Sequence, residues 1–413
     1  MNFSNQIEIL APAGSFESLQ AAINAGAHSI YFGVEQLNMR TKSSNPITLA
    51  DIKEISSICK KNGLRSYLTL NTVMYEHDMQ LLRTILQEAK TQEVDAVIAS
   101  DFAVIEYCRQ MKIPLHISTQ ANVSNIEAVQ FFAVFSDVVV LARELTLKQV
   151  EQISKEIKRR DIRGVSGQPM RIEIFVHGAL CMAVSGKCYM SLHTQNSSAN
   201  RGACNQNCRR PYKVTDTETG EELMIDNEYI MSPKDLCTID ILDQVIGSGV
   251  EVLKIEGRSK GPDYVYSTVK CYREAAEAIA AGTYNPQKIL AWKAELEKVY
   301  NRGFWEGYYL GRKLGEWTPN PGSAATEKKI YIGKGSNYFP KIKVGEFLVE
   351  SGSLKAGDTI MVTGPQCGMV KETREKLFVN GVQAAEAVRG DRITFPFETK
   401  VTTKDKLYKI LPQ

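Results

Sequence analysis

Short apolar runs alternate with longer amphipathic stretches from Ile7 to Ile255. The runs 7–13, 29–34, 66–73, 96–100, 115–120, 138–142, 172–176 and 250–255 have the length and β-branched content of buried strands. Between them, apolar residues recur at intervals of three and four, as in Leu49, Ile52, Ile55 and Ile58 or Leu147, Val150, Ile153 and Ile157. That spacing predicts helices over 17–25, 49–61, 78–91, 125–135, 146–160 and 234–246. Gly26, Gly63 and Gly249 stand just past helical patterns, where a left-handed cap is wanted. Eight strands, most followed by a helix and without a G-x-G-x-x-G turn, predict a (β/α)8 TIM-like barrel of the α/β class over 1–282.

Two further helical patterns, 264–281 and 289–300, lead into the Pro/Gly-rich stretch 317–325. Residues 283–327 therefore read as a helical segment and linker. From Lys328 to the end, apolar and polar residues alternate between turns, predicting a small antiparallel β-barrel over 328–413. In a (β/α)8 barrel the active face collects residues from strand C-termini. Asn71, Asp101, Gln120, Asn122, Arg143, Glu144, His177, Glu256 and Arg258 fall there. Arg143-Glu144 and Glu256-Gly-Arg258 each set a cation beside a carboxylate, suited to an anionic substrate or to internal pairing.

Composition narrows the setting. A hydrophobic share of 43% and a charged share of 23% are those of a soluble globular protein. The net charge of +3 is far from that of a polybasic nucleic-acid binder and neither demands nor excludes RNA. No basic leader and no apolar run of membrane length is present, so a cytoplasmic location without membrane contact is expected. In that compartment nine cysteines mean packed thiols, metal ligands or catalysis rather than disulfides. Cys59, Cys108 and Cys271 lie in helical patterns, and core packing is expected for them and for Cys367.

One connection breaks the regular spacing. The seventh strand is followed by an insertion, 178–232, carrying Cys181, Cys188, Cys204 and Cys208. Long loops inside compact domains are usually functional. Four thiols fit a zinc ion or an iron–sulfur cluster. The intervals of six, fifteen and three intervening residues are not paired C-x2-C knuckles, and they suit a bulkier cluster. Cys237 is a fifth candidate ligand. Lys187, Arg201, Arg209 and Arg210 could offset thiolate charge or meet phosphate. A hairpin turning at Glu218–Gly220 is expected in the second half of the insertion.

Around this segment Glu173, Phe175, Gly178-Ala-Leu-Cys181, Gly186, Cys188 and Ser191 stand in a distinctive order. Leu10-Ala-Pro-Ala-Gly14, Tyr31-Phe-Gly33, Asn38-Met-Arg40, Ser118-Thr-Gln-Ala-Asn122, Ala142-Arg-Glu-Leu145, Ser232-Pro-Lys-Asp-Leu236 and Lys254-Ile-Glu-Gly-Arg258 extend the pattern. On these residues the chain resembles the collagenase-like peptidases, unassigned peptidase family 32. The resemblance covers most of the barrel, and the C-terminal segment resembles the family's usual tail domain.

The family's name implies collagen degradation, whereas several members resemble RNA or quinone hydroxylation factors with a 4Fe–4S cluster. His177-Gly-Ala-Leu-Cys-Met-Ala, Gly202-x-Cys204 and Cys208-Arg look similar to the branch of prephenate-dependent tRNA uridine hydroxylation proteins. That branch implies conversion of a wobble uridine to 5-hydroxyuridine, with tRNA as partner, prephenate as co-substrate and a paralogous family subunit. It does not generally keep a cysteine where Cys237 stands, whereas other members use one there. The implied ligands are Cys181, Cys188 and Cys204, with Cys208 or Cys237 as the fourth. Arg143, Glu144, His177, Glu256 and Arg258 would form the catalytic mouth, and Arg201, Arg209 and Arg210 would hold RNA phosphate.

Two other readings stay open: a metal- or cysteine-dependent peptidase, and a non-catalytic cluster-bearing partner subunit. A Cys181–His177 pair could serve as thiolate and base. However, no H-E-x-x-H or G-x-S-x-G occurs, and three companion thiols mark Cys181 as a ligand. DNA is not an expected partner.

Overall fold

Seven strands follow one another around a cylinder, each hydrogen-bonded in parallel to the next. They are β1 (Glu8–Pro12), β2 (Ser29–Phe32), β3 (Arg65–Leu70), β4 (Ala96–Ala99), β5 (Leu115–Ile117), β6 (Val138–Val140) and β7 (Arg171–Gly178). The computed structural model describes residues 7–39, 47–213, 215–220, 231–311, 315–319 and 322–413. A short strand, β8 (Asp235–Cys237), then runs antiparallel to the end of β7. The next strand, β9 (Val252–Ile255), pairs in parallel with both β7 and β1 and closes the eight-stranded barrel expected from the alternation. These strands are buried on both faces, which is why they read as continuous apolar runs.

Six helices pack around the first barrel strands: α1 (Phe16–Asn24), α2 (Asp51–Lys61), α3 (Met79–Thr91), α4 (Phe102–Met111), α5 (Ile126–Ala133) and α6 (Leu147–Arg159). Their starts are written locally. Ser15, Asp101, Asn125 and Thr146 each accept a first-turn N–H, and Thr146 forms a capping box with Gln149. Leu147, Val150, Ile153 and Ile157 of α6 are buried against the barrel, as their spacing requires.

The helix expected over 234–246 is not formed as such. The insertion carries α7 (Met190–Gln195), and α8 begins only at Leu242 (Leu242–Gly247). Asp235–Cys237 is extended because its backbone completes pairing with β7, through His177↔Cys237 and Gly178↔Leu236. Thr238 N–H donates to the Tyr272 hydroxyl and to the Val176 carbonyl. Tertiary hydrogen bonds thus override a helical pattern. Of the hairpin expected near Glu218–Gly220, the turn is present, with Asp216 accepting N–H bonds from Glu218 and Thr219. Residues 214 and 221–230 lie outside the described residues.

After α9 (Pro262–Ala280) and α10 (Pro286–Glu297), the chain forms an eight-stranded antiparallel sheet from Glu327–Phe339 to Lys406–Pro412. A two-stranded ribbon, Ser353–Lys355 with Glu386–Val388, packs Leu354 and Ala387 into the core that this sheet shares with Phe347 and Phe395. The sheet docks on α1. Gly368 has φ +67°, and a Cβ there would stand 2.6 Å from Ala21 N. Asn24 also donates to the Cys367 carbonyl at 2.8 Å. Cys59, Cys108, Cys271 and Cys367 are all buried in the cores. Among the described residues no helix is long and apolar enough to cross a membrane.

Candidate functional site at the barrel mouth

The first part of the insertion, residues 178–213, lies across the C-terminal mouth of the barrel as a cover. It leaves β7 at Gly178, whose φ is +105° and where a Cβ would meet the Glu256 carbonyl at 2.5 Å. On one side it is latched to the segment after β3. Asn200 O accepts from Val73 N at 3.2 Å. Arg201 forks onto both carboxylate oxygens of Asp78, donates to Val73 O at 2.9 Å and stacks 4.2 Å over the Tyr75 ring. Partial burial raises the Asp78 carboxyl, but Arg201 and the Tyr75 N–H more than reverse this and hold it below the carboxylate range.

Across the mouth, Asn122 donates to Ser185 O at 3.1 Å, and Gly186 sits over Gln120. On the far side Arg209 donates to Leu180 O, Ser232 Oγ and Pro233 O. Burial therefore lowers its affinity for a proton. Asn71 accepts from Met39 N at 3.3 Å, and Asp101 accepts from Met74 N at 2.9 Å. The mouth residues of the sequence analysis thus include several loop supports. Arg201 and Arg209 spend their guanidinium groups inside the protein, whereas Arg210 is exposed.

Within the cover, Cys181 is exposed while Cys188, Cys204 and Cys208 are partly buried. Burial pushes the Cys208 thiol up, the Arg209 cation draws it down, and Cys181, Cys204 and Cys188 all push it up again. The four thiols thus share one electrostatic neighbourhood. Local hydrogen bonds hold their backbone: Cys188 N donates to Asn200 Oδ1 at 3.1 Å and Asn205 N to Ser191 Oγ at 3.0 Å. Cys237 belongs elsewhere. It is buried on β8, 3.8 Å from the Tyr272 hydroxyl, and burial pushes its thiol up to about 11.

The donor set, four free thiols with a nearby arginine, fits a thiolate-ligated cluster in its chemistry. A single zinc ion needs thiolates roughly 3.8 Å apart around a tetrahedron with Zn–S bonds of about 2.3 Å. Among the described residues no three His, Cys, Asp or Glu side chains are gathered to hold one metal ion.

Beneath the cover, the barrel interior holds a buried ionic group beside the apolar cluster of Leu10, Tyr31, Tyr67, Ala96, Ile98 and Val252. Glu173 of β7 and Lys254 of β9 are sealed in it, 2.6 Å apart, with His116 Nδ1 3.7 Å from the second Glu173 oxygen. Burial pushes the Glu173 carboxyl up, but Lys254 and His116 overcome this and hold it well below its ordinary range. Burial lowers the Lys254 ammonium; Glu173 opposes that shift, and Arg258 and Arg143 add to it. Lys254 also lies 4.8 Å from the centre of the Tyr31 ring. Arg143 stacks 4.0 Å over Phe175 and donates to Ala179 O at 3.2 Å. Arg258 donates to Asn38 at 2.9 Å and to Thr69 at 2.6 Å.

Arg143, Arg258 and Lys254 therefore bring positive charge to one mouth, with Glu256 buried at its rim. Lys254 and His116 were missed as site residues in the sequence. Their signal was a lone ionisable residue inside an apolar strand run. Glu144 is exposed and makes no hydrogen bond or ion pair with a described residue.

His177 is 1% exposed, with its ring 5.5–5.8 Å from those of Tyr264, Tyr272 and Phe304. Burial pushes its pKa down to about 3. Its Nδ1 faces the Tyr272 hydroxyl at 3.4 Å, while Cys181 stands exposed on the cover. The two residues four apart in sequence do not form a thiolate–imidazole pair.

Known proteins share this chain's sequence over most of its length. A protein named Collagenase from Porphyromonas gingivalis is 52% identical over 405 residues, 98% of each chain. The tRNA hydroxylation protein P1 of Bacillus subtilis is 31% identical over 395 residues, 92% of this chain and 89% of that one. The 23S rRNA 5-hydroxycytidine C2501 synthase of Escherichia coli is 32% identical over 323 residues, 75% of this chain and 46% of that one. The pattern of peptidase family U32 matches residues 14–319, covering the barrel from α1 onward, the cover and both following helices. The chain belongs to peptidase family U32.

Proposed function

We propose that this protein hydroxylates the wobble uridine of tRNA to 5-hydroxyuridine, with a 4Fe–4S cluster held by Cys181, Cys188, Cys204 and Cys208. The observation that carries the reading is that one segment lying over a cationic barrel mouth bears four free thiols, with Cys208 in the electrostatic field of Cys181, Cys188 and Cys204. When bound, a cluster of this kind supplies one-electron redox chemistry. Arg209, beside Cys208, offsets thiolate charge. Arg143 and Arg258 orient an anionic co-substrate, for which the carboxylates of prephenate are suited. The cover excludes bulk water from the Glu173–Lys254 interior, where charge–charge interactions are strengthened. The relatives named for tRNA and rRNA hydroxylation support RNA as the substrate class. A paralogous family subunit is the expected protein partner.

A peptidase is the second reading, favoured by the name of the 52% identical relative. A peptidase needs an activated nucleophile or a metal-bound water with a base. His177 is sealed away from Cys181, which weighs against the cysteine form. Mass spectrometry of tRNA nucleosides with and without the gene, beside gelatin cleavage by pure protein, separates the readings. Loss of 5-hydroxyuridine derivatives without the gene is the expected result. Unchanged nucleosides, with cleavage abolished by Cys181→Ala, would overturn the proposal. A cluster scaffold would need a second protein for activity even when fully loaded.

A further inference from the structure

We infer that the rim of the barrel mouth is a stacking platform for a single-stranded RNA loop, built from Tyr75, Phe102 and Tyr189, with Lys187 close by in the chain and Arg210 next to Arg209 on the far side of the mouth. The inference rests on the RNA reading above and says which surface would receive the substrate. Phe102 is 73% exposed, Tyr189 69% and Tyr75 50%. Single exposed apolar residues are ordinary, but these three come from separate loops at one end of the barrel. Tyr75 follows β3, Phe102 opens α4 after β4, and Tyr189 belongs to the cover after β7.

Hydrogen bonds hold the three loops side by side. Asp101, next to Phe102, accepts the Met74 N–H at 2.9 Å. Asn200 joins Val73 to Cys188, which precedes Tyr189. Arg201 stacks on the Tyr75 ring, fixing its orientation while half of the residue stays exposed.

Charge favours RNA over a protein as the occupant. Residues 178–213 include Lys187, Arg201, Arg209, Arg210 and Lys213 but no Asp or Glu, and the six acids of the insertion all fall in 214–232. Lys187 and Arg210 are exposed. An acid-free stretch with exposed Lys187 and Arg210, beside exposed rings, matches the two demands of single-stranded nucleic acid: neutralised phosphates and faces for bases. The barrel geometry adds a reason. A base that reacts inside a barrel must leave its stack, and its neighbours then need new surfaces to stack on.

Fluorescence anisotropy of the full-length protein with a labelled anticodon stem–loop RNA, and with a blunt RNA duplex of the same length, tests this. Tyr189→Ala and Phe102→Ala should each weaken stem–loop binding about tenfold, within the range for one stacked base. Duplex binding should not change. Lys187→Glu with Arg210→Glu should flatten the salt dependence. Both aromatic positions are exposed, so circular dichroism should show intact folding. Stem–loop binding that is equal in wild type and aromatic variants would overturn the platform but leave RNA as substrate. No binding of either RNA by the wild type would overturn the RNA reading and the platform with it. A self-associated protein that Tyr189→Ala converts to monomer would assign the rim to a protein interface instead.

Discussion

Lys254 Nζ lies 2.6 Å from Glu173 Oε1 inside the barrel, and both side chains are almost entirely removed from water. Two ions withdrawn this far are tolerable only together, because each carries a desolvation cost that the other offsets. Glu173→Gln or Lys254→Met alone should destabilise the protein by about 3–5 kcal/mol, leaving one buried charge without its partner. Glu173→Leu with Lys254→Met should recover most of that loss. Urea unfolding of the singles and the double tests the coupling. Additive losses would show that the two charges do not interact in the folded state.

The same pair sets an acid limit. The Glu173 carboxyl is held below its ordinary value, so its contribution is fully present above the unfolded-state value of 4.5. It should be lost as pH falls from there through the lower folded-state value. Thermal melting of wild type against the Leu/Met double variant, from pH 7 to pH 3, should show the wild type losing its advantage only below about pH 4.5. An advantage that vanished between pH 7 and pH 6 would implicate a different group.

Cluster loading separates the two candidate fourth ligands. Cys208 lies in the electrostatic field of Cys181, Cys188 and Cys204, whereas Cys237 is buried on β8 against the Tyr272 hydroxyl. Anaerobically purified protein should be brown. Serine at any of the four loop cysteines should bleach it, while Cys237→Ser should keep its iron and colour. Iron and sulfide analysis per chain checks this. A colourless Cys237→Ser protein with intact folding would move the fourth ligand to β8.

The sequence showed the barrel because buried parallel strands leave continuous apolar runs and the helices between them leave a regular stripe. It showed the cysteine cover because an overlong loop rich in one residue type breaks that rhythm. A strand pattern does not say which alternate positions face the axis of a closed barrel, so nothing local marks Lys254 as an interior residue. Asp235–Cys237 carries no local strand signature, because its three residues extend only through pairing with β7. Arg201 and Arg209 looked like phosphate ligands because charge is visible in sequence, whereas the carbonyls and carboxylate that consume it are not.

Arg201 and Asp78 form the latch between the cover and the segment after β3. Asp78 is 6% exposed, so Arg201→Ala leaves a nearly buried carboxylate facing only a backbone N–H and an exposed histidine. The cover should then open locally while the barrel stays folded. Limited trypsin digestion should nick the variant within 178–213 several times faster than wild type. The global melting temperature should move little. Arg201→Lys keeps the charge but loses the two-pronged contact, and it should fall between the two. Equal digestion of all three proteins would show that the other contacts hold the cover without Arg201.

His177 decides how much weight the peptidase name can bear. A cysteine peptidase needs an imidazole that takes a proton from its thiol near neutral pH. Burial holds His177 neutral down to about 3, so its ring should show no titration by NMR from pH 8 to pH 5. The sign of the linkage follows from the lowered value. As pH falls below 6.5 the unfolded chain takes up a proton that the folded ring refuses, so stability drops progressively toward pH 3. His177→Gln removes that term and should flatten the acid side of the stability curve, although lost packing against Tyr272 and Phe304 lowers its absolute value. A His177 resonance titrating near pH 6.5, together with gelatin cleavage that rises along the same curve, would restore the cysteine-peptidase reading.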